Sequence, residues 1–322
     1  MIRIARVPAS RAAATAGLCL AALVVPPDAR AQSLREQCSV VQGGVAPYCA
    51  GVADAAAIMQ ARVGIAAAGG NPVPGTASTL GMRLGSTPRV GLGLRITAAR
   101  ANAPPVDRVG SSGDFGFTAA SVSLDGSVGL FHGVRLAPTV GGFGSVDLLG
   151  SLGVVPLPGG SDFPDSGPFT WAAGVRVGLL RESFTAPGVS VSALYRSMGA
   201  LSRGDRDVTR TDAFIGLDGQ SMTSLRAVAG KRILGVGITG GVGHDRYRSD
   251  ATVRIRDGSA TRELREEGLA QSRTSVFGSG SLTYMILNLS AELGWQAGGD
   301  AAGGAKLERG GLFGGVAARL AI

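Results

Sequence analysis

Residues 88–98 read PRVGLGLRITA. Val90, Leu92, Leu94, Ile96 and Ala98 are apolar, and Arg89, Gly91, Gly93, Arg95 and Thr97 alternate with them. A period of two marks a β-strand with one oily face and one polar face. A soluble sandwich or barrel buries the oily face and wets the other. A membrane barrel does the reverse, because lipid solvates the oily face. Which face is enclosed decides the fold.

The totals narrow the choice. The chain has 322 residues, room for one large β-domain or two ordinary ones. Mean hydropathy is +0.24, high for a soluble protein, and 52 residues are Gly. Lys is confined to Lys231 and Lys306, so the cationic set is almost entirely Arg. Residues 1–31 have the pattern of a cleaved export signal: a basic start (Arg3, Arg6, Arg11), a short apolar run from Ala12 to Val25, and ARA at 29–31. Cleavage there removes four Arg and one Asp from the formal +8, leaving about +5, too mild and dispersed for nucleic acid. Cys19 leaves with the signal. Cys38 and Cys49 remain in an exported chain, where a disulfide is the natural expectation.

Residues 32–56 carry no clear period and form a short N-terminal segment, periplasmic or plugging, closed by that disulfide. Alternation governs residues 57–322. The AAAIMQARVGIAAAGG stretch has helix-forming alanines, yet from Gln60 it alternates and counts as a strand. Strand cores fall at 60–67, 78–84, 89–98, 120–130, 145–154, 169–179, 189–198, 223–230, 234–242, 273–282, 287–296 and 312–322. Twelve strands result, and ten to fourteen fit the pattern. Short links (85–88, 180–188, 231–233, 283–286) and a medium one (131–144) alternate with longer or turn-rich ones (68–77, 99–119, 155–168, 199–222, 243–272, 297–311). One end of the sheet therefore carries turns and the other long loops, the asymmetry of a barrel inserted from one side.

Charge placement addresses the face. Arg62, Arg83, Arg89, Arg95, Asp125, Asp147, Arg176, Arg196, Arg226, Arg273, Glu292 and Arg319 all stand opposite the apolar series of their strands. Gly, Ser and Thr fill the spaces between them, as suits a crowded polar lumen. The last strand, GLFGGVAARLAI, alternates to the end of the sequence, which a closed sheet tolerates. Phe169, Trp171 and Trp295 fall on the oily parity at the loop end and Tyr284 at the turn end, the placement of interfacial aromatics. The expected fold is all-β: a closed antiparallel transmembrane barrel with the polar series enclosed.

With these features, residues 57–322 resemble the bacterial outer-membrane β-barrel proteins in general. Ile322 departs from the aromatic residue that commonly ends them. The resemblance implies an outer-membrane location reached through a cleaved signal peptide. It also implies lipid and lipopolysaccharide as surroundings and delivery by the barrel assembly machinery. It names no family and leaves the oligomeric state open.

Motifs for chemistry are sparse. Gly235, Gly237 and Gly240 spell G-x-G-x-x-G inside an alternating strand, without the strand–turn–helix a dinucleotide needs. His244 stands beside Asp245 at the loop rim, where some barrel hydrolases keep a His, but adjacent strand residues point to opposite faces. Glu263, Glu266 and Glu267 are mixed with Arg262 and Arg265 as on a solvated loop. No enzyme, cofactor or metal is expected. The inward Arg excess has two explanations. It draws small anions through a porin-like channel, or it pairs with Asp125, Asp147 and Glu292 in a closed polar core. The first gives passive diffusion; the second gives a plugged barrel acting through its loops.

Overall fold

The computed structural model describes residues 32–41, 45–80, 89–110, 114–135, 141–157, 167–184, 186–299 and 310–321. The signal segment and Arg83 lie outside them. Eleven antiparallel strands form one sheet: β1 (Val90–Ala103), β2 (Phe115–Phe131), β3 (Ser145–Val154), β4 (Phe169–Leu180), β5 (Gly188–Met198), β6 (Leu201–Gly204), β7 (Ala213–Ile233), β8 (Val236–Asp257), β9 (Ala260–Tyr284), β10 (Leu287–Gln296) and β11 (Gly311–Ala321). Ten of them close a ring. Leu92 of β1 pairs with Leu320 of β11, and Ser192 of β5 pairs with Arg226 of β7. The short β6 pairs only with β7 and stands off the ring.

The enclosed face is the polar one. Leu92 and Leu94 are each 53% exposed, whereas Arg95 between them and Ile96 is 5% exposed. The same holds around the wall, where Leu124, Leu152, Val242, Leu282, Leu289 and Val316 point outward. A soluble sandwich would bury this row. On β1 the outward series stays apolar from Val90 to Ala98 and turns polar at Arg100. Nine residues of tilted strand are what a bilayer core needs.

The expected strand at 60–67 is not there, and the described part of the one at 78–84 is not strand. Residues 60–67 belong to a helix, α2 (Val45–Ala68), and residues 81–84 lie outside the described residues. The ring is correspondingly ten-stranded and begins at Val90. α2 follows a one-and-a-half-turn helix, α1 (Leu34–Ser39), which opens with a capping box between Ser33 and Glu36. The disulfide Cys38–Cys49 ties α1 to α2. The composition of α2 explains both its form and its place. Alanine costs least in a helix, and Ala and Gly on every side keep the cylinder thin. It is buried nearly all round and packs on β1, β2, β7, β8 and β9, inside the ring. At 1.5 Å per residue its 24 residues span about 36 Å. Its N-terminal end and α1 lie with the loops: Tyr48 of α2 donates to the Val106 carbonyl, and in α1 the Leu34 amide donates to Glu266 and Gln37 to the Arg265 carbonyl. The segment 32–56 is thus on the loop side, and residues 57–68 belong to the plug instead of the wall.

The expected loops at 199–222 and 243–272 are largely sheet. β7, β8 and β9 rise well above the apolar belt, and β8 turns into β9 through Gly258 and Ser259, with Gly258 at φ +63°. On β8 the outward row changes from Val236, Ile238 and Val242 to His244, Arg246, Arg248, Asp250 and Arg254. The inward row changes from Gly237, Thr239 and Gly243 to Tyr247, Ala251, Val253 and Ile255, all four buried. Ile215, Leu217, Leu201, Val106 and Leu157 join Val253 and Ile255, with Leu34, Cys38 and Val52 of the two helices, in one apolar cluster. This cluster is a cap over the loop end of the barrel.

Candidate functional site: the occupied lumen

The lumen is the feature on which function turns, and it is filled by the chain's own N-terminal segment. Descending from the cap, Tyr48 donates to the Val106 carbonyl at 2.5 Å. Gln60 donates to Ser249 at 2.8 Å, and Gln271 donates to Gln60 and to the Ala57 carbonyl, both at 2.6 Å. Arg62, read in the sequence as a wall residue, sits on α2 and reaches Gln296 at 3.2 Å, whose amide donates to the Tyr247 hydroxyl at 2.7 Å. Gly64 is required here: a Cβ would lie 2.3 Å from the Tyr247 ring. Thr97 donates to the Ala66 carbonyl.

Where α2 ends, wall charges hold its last turn and the strand-free chain after it. Gly69 takes φ +65°. Arg226 donates to the Gly70 carbonyl at 3.0 Å, and Arg95 donates to the Asn71 carbonyl at 3.1 Å. The Glu292 carboxylate accepts the amides of Gly70 and Asn71 at 2.7 and 2.8 Å. Lower down, Arg176 donates to the Ser78 carbonyl at 2.8 Å, and Asp147 accepts the Leu80 amide. A backbone whose helix has stopped must find partners elsewhere, and the lumen charges supply them.

The same charges pair with each other. Arg176 meets Asp147 at 2.7 Å, Arg226 meets Asp245 at 2.7 Å, and Arg95 meets Asp125 at 2.9 Å. Ser224 adds a 2.7 Å hydrogen bond to Asp245. Such pairs add little net stability, since desolvation offsets attraction, but they specify geometry, and loss of one partner is costly. Arg196 and Arg273 also face inward, donating to Thr170 and Gln271, and Arg319 is buried near the turn end. Arg89 immediately precedes β1 and is exposed. Between plug and wall, a cavity of about 20 Å³ lies among Arg95, Asp125, Arg196 and Arg226, and two of about 10 Å³ lie nearby. Spaces of this size hold single waters at most.

Three inward residues were missed in the sequence: Asp245, Tyr247 and Gln271. Their signal was the parity of β8 and β9, which continues through the stretch taken for a loop. That parity also separates the rim pair, because His244 points out while Asp245 points in. No group of three or more candidate metal ligands occurs among the described residues. Phe169, Trp171, Tyr284 and Trp295 are all exposed on the outer face, and Trp171 lies 5.8 Å from the ring of Tyr195, an outward aromatic the sequence reading did not single out.

No family model and no curated protein matches the chain. Among solved structures it is similar to the translocator domain of the autotransporter NalP from Neisseria meningitidis, with 11% identity over 74% of this chain and 88% of that one and a TM-score of 0.43. It is similar to the outer membrane protease OmpT from Escherichia coli, with 13% identity over 73% and 94% and a TM-score of 0.35. It is also similar to the COG4313 outer membrane channel from Pseudomonas putida F1, with 10% identity over 78% and 99% and a TM-score of 0.33. The closed antiparallel sheet with an apolar outer face and a polar interior is the architecture of a membrane β-barrel. By name these neighbours are a translocator, a protease and a channel.

Proposed function

We propose that this protein is a plugged, non-enzymatic outer-membrane barrel that holds a disulfide-tied cap at the cell surface and blocks diffusion through its lumen. The observation that carries the reading is the plug itself. α2 is buried on every side, and the chain below it is bonded to Arg95, Asp147, Arg176, Arg226 and Glu292. Arg95, Arg176 and Arg226, which would draw anions through a pore, are already engaged with carboxylates and plug carbonyls. Porin-like diffusion of small anions therefore requires the plug to leave first. The cap, with the exposed chain around Arg206 and Asp207, is the surface on which a binding role would rest.

Two measurements test this. In planar bilayers the intact protein is expected to be silent across several salts, and steady anion-selective steps would overturn the plugged reading. In intact cells, Asp207→Cys is expected to react with a membrane-impermeant maleimide. Labelling only after the outer membrane is opened would place the cap on the wrong side.

A further inference from the structure

The outer face of β8 carries a column of His and Arg side chains just above the apolar belt. His244, Arg246 and Arg248 follow Val242 on the outward parity, and all three are exposed. Their neighbours on the flanking strands are uncharged. Arg246 stands between Thr223 and Ser272, Arg248 between Ser221 and Ala270, and His244 between Leu225 and Thr274. Neither Arg246 nor Arg248 has an ion-pair partner among the described residues. The first carboxylates on this face, Asp218 and Asp250, stand one rung higher, and Asp250 already accepts the Gly268 amide at 2.8 Å. The buried Arg95, Arg176 and Arg226 are bonded inside the barrel, and the outward Arg254 is paired with Glu263. Arg246 and Arg248 face outward where headgroups would meet the wall.

Below the column the wall is hollow. Leu94, Ile96, Ile238, Leu282, Leu289, Ala291 and Val316 border an open trench of about 730 Å³ on the outer face. Gly278 and Gly240, which pair directly across β8 and β9, lie two residues above its floor at Gly280, between the trench and the column. Packing within the chain does not demand these glycines. A Cβ at Gly280 would meet nothing within 4 Å, and at Gly240 or Gly278 only a carbonyl at 3.7 Å. Glycine weakens a strand and often marks close approach by another molecule. From Gly240 to Arg246 is about 20 Å along the strand. With a tilt near 40° that is about 15 Å of depth, roughly one leaflet of the hydrocarbon core.

We propose that the column and trench together bind one anionic lipid of the outer leaflet, a phosphate-bearing glycolipid such as lipid A. Arg246 and Arg248 would take the phosphate, and the glycine trench would take an acyl chain. Arginine suits phosphate because its planar fork donates two hydrogen bonds at once. A second copy of the chain is a poor occupant, since a two-fold contact through this face would set Arg246 and Arg248 near their own counterparts. The proposal rests on the outward orientation of the loop end, which the Asp207→Cys labelling reports separately.

The test titrates the full-length protein, in a nonionic detergent, with lipid A, phosphatidylglycerol and inorganic phosphate. R246Q/R248Q is expected to weaken lipid A binding by about tenfold or more, since each phosphate contact is a charge-assisted hydrogen bond. Gly280→Leu is expected to weaken it about threefold by filling the trench. Arg232→Gln, at the turn end, should leave it unchanged. R246K/R248K should fall between wild type and the glutamine variant, and it serves as the readout should the glutamine variant fold poorly. Lipid A binding that is equal in wild type, R246Q/R248Q and R246K/R248K would overturn the proposal. So would inorganic phosphate or phosphatidylglycerol competing as well as lipid A.

Discussion

Strand β8 runs through two environments without changing its alternation. Up to Gly243 its even-numbered residues are apolar and face lipid, and its odd-numbered residues are small or polar and face the lumen. Beyond Gly243 the even row is mostly His and Arg, with Asp250 and Thr252, in water, and the odd row passes from the polar Asp245, Tyr247 and Ser249 to Ala251, Val253 and Ile255 in the apolar cap. Backbone geometry is the same in both zones; the solvent outside differs. Where lipid covers the wall, the enclosed space can be polar provided each charge has a partner. Where water covers it, the enclosed space supplies the apolar burial that folds the cap. The crossover on β8 marks the edge of the membrane more sharply than loop length does.

The largest expected effect breaks the lower zone from inside. Asp147→Ala strips the fully buried Arg176 of its partner and the Leu80 amide of its acceptor. Loss of one member of such a pair costs about 3–5 kcal/mol. Urea unfolding in lipid vesicles should show it, and the freed chain at residues 78–80 should become susceptible to protease. An unchanged midpoint would mean that the lumen pairs are not structural. Next in size is a charge placed on the outer wall. Leu94→Arg should cost about 2–4 kcal/mol, as for a cation near mid-bilayer. Thr252→Arg, on the outward row of β8 above the crossover, should shift stability by no more than about 0.5 kcal/mol. Equal costs at the two positions would erase the boundary drawn on β8.

A gentler change sharpens the same contrast. Ile255 is fully buried in the cap, so Ile255→Val should cost about 0.5–1.5 kcal/mol through the lost methylene and the space it leaves. Ile238 is 71% exposed on the lipid face, where acyl chains fill the gap a smaller side chain leaves. Ile238→Val should be close to neutral by the same denaturation measurement.

Much of the lower zone was legible in the sequence, because one parity there carries nearly all the charge and the other nearly all the oil. β3 occupies Ser145–Val154 as expected, and Arg95, Arg176 and Arg226 face inward. The plug was hidden by a coincidence of spacing. Gln60, Arg62 and Gly64 alternate with Ala61, Val63 and Ile65, and eight residues cannot separate a short strand from a helix buried on all sides. The better signal was the small-residue run from Ala50 to Ala68, ending at Gly69-Gly70, the composition of a thin cylinder with a C-terminal stop. The cap was missed for the opposite reason. Residues 243–257 do alternate, but with the oily row on the inside, so a search for lipid-facing residues passed over them as loop. Nothing local could announce that Arg62 would meet Gln296, since that contact joins the plug to a strand more than two hundred residues away.

The smallest effect concerns the joint between the two helices' cap and the sheet. Glu266 stands at the top of β9, above the apolar belt, and accepts the Leu34 amide at 2.8 Å. Burial raises its pKa above the ordinary glutamate value, Leu34's hydrogen bond opposes that, and the nearby Glu36 charge adds to it. The folded cap therefore prefers the protonated form. Docking of α1 is strongest below the ordinary glutamate pKa. It weakens as pH rises through that value toward the raised one, because the undocked side chain gives up its proton first. Hydrogen exchange at the Leu34 amide should accordingly show extra opening at neutral pH, beyond the intrinsic rise in exchange rate. Glu266→Gln keeps the acceptor and removes the titration, so its opening should be the same at both pH values. If wild type and Glu266→Gln respond alike, the joint is held by the apolar contacts of Leu34 and Cys38, and the carboxylate is incidental to it.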